Sequence, residues 1–251
     1  MVLPVQSWPV ARDPPCTLVT QQTLDLRISR QPDLLSYGPA CLHAVYAFHG
    51  DHLSLEQVTR GVHSLDDGGT LGVLLACHAL ERGYRATLFT YNLRIFDPTW
   101  FALPGDVLMA RLRRRIETRE GKKLRLASEA YLRFLSLGGK VRMEDLTSGL
   151  IRRYLDRGRP VLTGLSSTYL YRAPREVGPH DDDIRGDPQG HFVVLAGYDR
   201  EKNLVRVADP LGGSRWVESP YYPVRVERLI TAILLGVLTY DANLLVIEPE
   251  A

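Results

Sequence analysis

Apolar and polar positions recur along this chain with two periods, and the change from one to the other divides it. Gln22 to Ser29 alternates, with Leu24, Leu26 and Ile28 on one side, which predicts a strand. Gly38 to Gly50 (GPACLHAVYAFHG) reads as a helix. Pro39 sits near its first position, where a missing N–H costs nothing, and Gly50 is a good stop. Ser54 and Gln57 have the spacing of a capping box, so a second helix is expected to start there. A third is expected from about Thr70 to Arg82, stopped by Gly83, with a strand over Arg85 to Tyr91. From Pro104 to Gly158 the pattern is helical and basic. Beyond Gly158 it turns to β: Arg159–Leu165, His191–Tyr198, Leu204–Ala208 and Leu244–Ile247 are apolar runs bounded by turn residues. A polar loop, Ala173 to Gln189, lies between the first two. A helix-rich first half and a strand-rich second half predict an α+β domain of two lobes.

Charge and composition remove several classes of function. Lys and Arg number 31 against 29 Asp and Glu, a net charge of +2 over 251 residues, so the chain has no field to bind nucleic acid or a membrane surface by bulk charge. Three cysteines, Cys16, Cys41 and Cys77, are too few and too odd for a disulfide scaffold and read as reduced thiols of a cytoplasmic protein. The first twenty residues lack a basic start followed by an apolar run, so no secretory signal is expected. The longest apolar stretch, Leu229 to Leu238, falls well short of the ~20 residues of a spanning helix, and no membrane association is expected. In the middle, Arg111, Arg113, Arg114, Arg115, Arg119, Lys122, Lys123 and Arg125 crowd together. Glu117, Glu120 and Glu129 are interspersed and no aromatic platform alternates with the charges. A solvated helix face is the preferred reading, with no nucleic-acid partner.

Candidate chemistry gathers at the start of the Gly38 helix, where free N–H groups and the helix dipole can lower a thiol pKa or hold an oxyanion. Gln31, six residues before Tyr37, can donate a hydrogen bond to a developing oxyanion. Far downstream, His191 opens a buried-looking strand directly after Gly190, and Asp209 ends the next strand. A histidine and an acid at facing ends of neighbouring strands form a base and its orienter.

The segments RQPDLLSYGPACLHAVYAFHGDHLSLEQV, GHFVVLAGYD and VRVADPLGG resemble the papain-like cysteine peptidases of the bacteriocin-processing, double-glycine family, family 39 of the cysteine peptidases. The resemblance covers roughly Gln31 to Tyr91 and Arg159 to Gly212. It implies a papain-like two-lobed α+β fold whose second half is an antiparallel sheet, with residues 1–251 forming one domain that carries a helical insertion at about 97–158. It also implies Gln31 in an oxyanion hole, His191 as base and Asp209 as its orienter. The departure is Tyr37, which stands where the family has its nucleophilic cysteine. A phenol, with a pKa of about 10 against about 8.5 for a thiol, is the poorer nucleophile here, and its ring would fill the place of a scissile carbonyl.

Other residues receive plainer readings. Cys41, four residues on and one turn (~5.4 Å) deeper, is read as core, and Ser36 as an N-cap. Cys77 is read as core and His78 as surface or cleft-edge. His43, His49, His52 and His63 lack metal-ligand spacing, and His180 to Asp183 reads as a solvated loop, so neither a metal nor any other cofactor is expected. Tyr169-Leu170-Tyr171 is either a groove edge or packing. The expected function is a degenerate peptidase that binds a peptide or protein terminus in the former active-site cleft. The alternative is an active cysteine peptidase, transpeptidase or amidase that uses Cys41, or whose nucleophile was altered at position 37. The sequence is silent on oligomeric state.

Overall fold

The longest apolar strand of the chain, GHFVVLAGYD, lies inside the sheet and is buried along nearly its whole length. The computed structural model describes residues 20–30, 36–65, 69–118 and 121–250. Its elements run in the order β1 (Gln21–Thr23), α1 (Tyr37–Phe48), α2 (Leu55–Gly61), α3 (Gly72–Glu81), β2 (Tyr84–Thr90), α4 (Gly105–Thr118), α5 (Lys122–Ser136), β3 (Lys140–Arg142), α6 (Ser148–Leu155) and β4 (Val161–Ser166). There follow α7 (Ser167–Tyr171), β5 (Glu176–Val177), β6 (His180–Asp181), β7 (Gly190–Asp199), β8 (Leu204–Ala208), β9 (Tyr221–Arg225), α8 (Val226–Leu235) and β10 (Asn243–Pro249). The main sheet has the order β3-β2-β10-β4-β7-β8-β9. Along β7, β4 pairs with Gly190 to Leu195 and β1 with Gly197 to Asp199, so β1 takes over where β4 ends.

Both faces of the sheet are covered, which is why its central strands read as continuous apolar runs rather than as alternation. Phe192, Val194 and Ala196 of β7 join one core with Leu245 and Ile247 of β10, beneath α1, α3, α4 and α5. Val193 and Leu195 join the other with Leu244 and Val246, beneath α6 and α8. The helical stretch expected as an insertion contributes Leu108, Leu112, Ala127, Tyr131 and Phe134 to the first core.

The mixed α+β class is as expected, but the strands are not confined to the second half. β2 and β3 belong to the same sheet, and β3 pairs with β2 in parallel through Thr87 to Phe89, so the sheet is mixed rather than purely antiparallel. Three residues, Lys140 to Arg142, are too short a run to show a period of two. At the other end, only Gln22 and Thr23 of the expected Gln22–Ser29 strand pair in a ladder, within β1, although Leu24 and Leu26 are buried as the alternation requires. The run Leu229–Leu238 is amphipathic helix α8 followed by a 3-10 turn at Gly236–Thr239, and no helix among the described residues is long and apolar enough to cross a membrane.

The local helix signals are satisfied. Ser54 Oγ accepts from Gln57 N at 3.2 Å and Gln57 Oε1 accepts from Ser54 N at 2.8 Å, closing the capping box. Helix α1 begins one residue before Gly38, with Ala40 N donating to Ser36 O at 2.9 Å. Gly50 takes φ +82° just past its end, a conformation glycine adopts without strain.

Candidate active site

The end of β4, the start of β7, the end of β8 and the start of β9 meet at one end of the sheet. Antiparallel pairing sets His191 opposite Leu165, and it sets Ala208, the last residue of β8, opposite Tyr221. Asp209 follows at once and extends that ladder, its N–H donating to Pro220 O at 2.8 Å.

The two predicted partners meet here. His191 Nε2 lies 2.9 Å from Asp209 Oδ1, and the side chains are 2% and 0% exposed. Each oxygen of the Asp209 carboxylate serves two donors. Oδ1 takes His191 and the amide of Leu211 at 2.9 Å, and Oδ2 takes the hydroxyls of Tyr171 at 2.6 Å and Tyr222 at 2.5 Å. Burial alone would push the Asp209 carboxyl up. The His191 charge and the hydrogen bonds from His191, Tyr171 and Tyr222 together outweigh it and hold the group below the ordinary carboxylate range. Both phenols are pushed up, by burial first and then by the Asp209 charge, so they remain donors. A charged acceptor at Nε2 requires the proton on that nitrogen, which leaves Nδ1 of a neutral His191 with the lone pair. The imidazole is thereby fixed in one tautomer, ready to take or give a proton at Nδ1.

Tyr37, in the first turn of α1, packs against this imidazole. Its ring centroid is 4.3 Å from that of His191 at an interplanar angle of 75°, and Tyr171 makes a second edge contact at 5.9 Å and 62°. Such edge-to-face pairs contribute about 0.5–1.5 kcal/mol beyond the area they bury.

The sequence candidates divide clearly. His191, Asp209 and Tyr37 come together, whereas Gln31, like Cys16, lies outside the described residues. Cys41 is fully buried and its thiol donates to the carbonyl of Phe192 at 3.2 Å. Burial, and then the nearby Asp209 charge, push that thiol well up, so Cys41 is a core residue behind the site. Ser36 occupies the N-cap position of α1 but makes no side-chain cap bond. Cys77 is core, its thiol pushed up to about 12 chiefly by burial. His78, expected at the surface or a cleft edge, is half-buried in the α1–α3 contact, with Nδ1 2.8 Å from the hydroxyl of Tyr46. In the His180–Asp183 segment, Asp181 pairs with Arg215 at 2.6 Å and Asp182 with Arg185 at 2.7 Å. Among the described residues, no group of three or more His, Cys, Asp or Glu could hold a metal ion.

Sequence reasoning left Tyr171 undecided between groove and packing, and it missed Tyr222. Tyr222 follows no motif. It faces Asp209 only because β9 pairs with β8, and Pro223 and the short YYPVR run concealed that strand. A second buried acid was also missed. Asp241 accepts from Gly72 N, at the start of α3, at 2.8 Å, and burial pushes its carboxyl up to about 7.

Residues 131–226 match a family model described as the Peptidase_C39 like family; the matched stretch holds His191 and Asp209 but not Tyr37. No curated protein sequence matches the chain. Three solved structures are similar to it at low identity. A double glycine motif protease from an AMS/PCAT transporter, in complex with the leader peptide, is 15% identical over 92% of this chain and 97% of its own, with a TM-score of 0.44. The peptidase domain of Streptococcus ComA, a bifunctional ABC transporter of a quorum-sensing pathway, is 14% identical over 90% and 99%, with a TM-score of 0.41. Xylellain, a cysteine protease from Xylella fastidiosa, is 14% identical over 94% and 88%, with a TM-score of 0.48.

Proposed function

We propose that this chain is a single papain-like domain with a helical insertion, in which a cysteine-peptidase centre has lost its nucleophile and serves to bind a peptide or protein terminus. The observation that carries the reading is the Tyr37 ring lying 4.3 Å from an imidazole that still holds its buried acid. A buried histidine bonded to Asp209, itself held by Tyr171 and Tyr222, is costly, and a core without function would dispense with it. The family match over residues 131–226 supports a peptide as the ligand class. In this reading Gln31 keeps the oxyanion-donor role that the sequence resemblance implies. Tyr37 covers the base, and a peptide docks beside the ring without being cut.

The test is Tyr37→Cys compared with the native chain by pH-resolved iodoacetamide alkylation, read by peptide mass spectrometry. If the site is a former cysteine centre, the introduced thiol pairs with His191 and reacts fast well below pH 8, as thiols beside an imidazolium at a helix start do. A thiol at that position with the ordinary pKa of about 8.5 would overturn the assignment.

A further inference from the structure

Away from the His191 centre, the basic face of α4 does not simply project into solvent. Together with the 3-10 turn Pro98–Ala102 it borders an open, solvent-facing cavity of about 470 Å³, lined among others by Trp100, Val107, Arg111, Arg114, Arg115 and Thr118. That volume is within the ~300–1,000 Å³ of small-molecule sites. The α4 residues recur every three or four positions, so one helix face forms the wall, and neighbouring side chains on it start about 5–6 Å apart.

The charge in this cavity is organised. Arg115 is held in place by donating from both Nε, at 3.0 Å, and Nη2 to the carbonyl of Arg94. The guanidinium groups of Arg111 and Arg114 make no hydrogen bond or ion pair among the described residues. Among the described residues, no carboxylate lines the cavity. The acid that feels these guanidinium groups is Asp97. It is held below the usual carboxylate range first by the hydroxyl and amide of Thr99 and only weakly by Arg111 and Arg115. Arg111 and Arg115 therefore act on one carboxylate that Thr99 already engages, and with Arg114 beside them positive charge is left over.

We propose that this cavity binds a small oligophosphate anion, free or as part of a nucleotide, across the Arg111, Arg114 and Arg115 guanidinium groups, with Trp100 and Val107 as its apolar wall. Guanidinium forks hold phosphoryl oxygens in pairs, and two such forks one helical turn apart match adjacent phosphoryl groups better than a single carboxylate does. The site is separate from the His191 centre and does not depend on the function proposed there.

The experiment is calorimetric titration of the whole chain with pyrophosphate at low salt, repeated with ATP as competitor and with anionic phospholipid vesicles. Saturable binding at one site is expected, displaced by ATP and absent with the vesicles. Arg111→Gln and Arg114→Gln should each weaken it about tenfold, the loss of one charge-assisted contact. Arg113→Gln, on the same helix but outside the lining, should change it less than about twofold, as expected of a screened charge. Both lining residues are exposed, so neither substitution threatens the fold. The proposal is overturned if pyrophosphate gives no saturable binding, if only the vesicles bind, or if Arg113→Gln weakens binding as much as Arg114→Gln does.

Discussion

Removing the Tyr222 hydroxyl tests the reasoning about the buried acid most directly. Tyr222→Phe keeps the ring in place and deletes one of the two hydroxyls on Asp209 Oδ2, leaving Tyr171 as the remaining donor at 2.6 Å. A hydrogen bond to a charged acceptor contributes about 1.5–3 kcal/mol, so Tyr222→Phe should cost about 2 kcal/mol, and Tyr171→Phe a similar amount. In a domain of this size that lowers the melting temperature by roughly 4–8 °C. The double variant should cost more than the two added together, because it leaves a buried charged oxygen with no donor. Urea unfolding at pH 7 and at a pH low enough to protonate Asp209 is the assay. Asp209 titrates below its ordinary value in the fold, so the stability it contributes is present above the unfolded pKa of about 3.9 and is lost as pH falls through the folded one. The cost of Tyr222→Phe must shrink at low pH. A loss under about 0.5 kcal/mol, or one equal at both pH values, would mean that the phenols do not hold a charged Asp209.

Two further outcomes follow from the same buried groups. Native Cys41 should resist iodoacetamide in the folded chain at every pH up to 9 and react only once urea unfolds it, because its thiol is buried and bonded to the Phe192 carbonyl. Labelling of folded Cys41 at a rate near that of a free thiol would refute this. Asp241 titrates at about 7 in the fold against about 3.9 in the unfolded chain, so its proton is held more tightly when folded. That stability is present below about pH 3.9 and is lost as pH rises through 7, by up to ~4 kcal/mol. Asp241→Asn should remove this slope, and an unchanged pH–stability profile would contradict the assignment.

Much of the architecture was legible because single residues announce it. Ser54 with Gln57, Gly50 and Gly83 mark helix ends, and the four apolar runs after Gly158 all became strands. His191 and Asp209 were legible too, since a polar residue at the edge of an apolar strand stands out. What escaped depends on pairing between distant segments. β3 exists only against β2, and β9 only against β8. Tyr222 reaches Asp209 through that second pairing. Asp241 looks like an ordinary turn residue until Gly72 brings the start of α3 onto it. The basic stretch from Arg111 to Arg115 read as a solvated face, and Arg111, Arg113 and Arg114 are indeed exposed; that Trp100 lies beside this face was not legible.

The position of β10 has a kinetic consequence. β2 and β4 never touch as neighbours; Asn243 to Pro249 lies between them and bonds to both. The strands that carry His191 and Asp209 can assemble with β4 and β9 from nearby sequence, and β2 and β3 can pair beside α3. These two sub-sheets stay separate until β10 threads the gap, so the step that joins them closes a loop of about 150 residues or more between β2 and β10 and slows folding. During synthesis on the ribosome the exposed edges of β2 and β4 must wait for β10, which makes this seam the place where the nascent chain is open to strand exchange and aggregation.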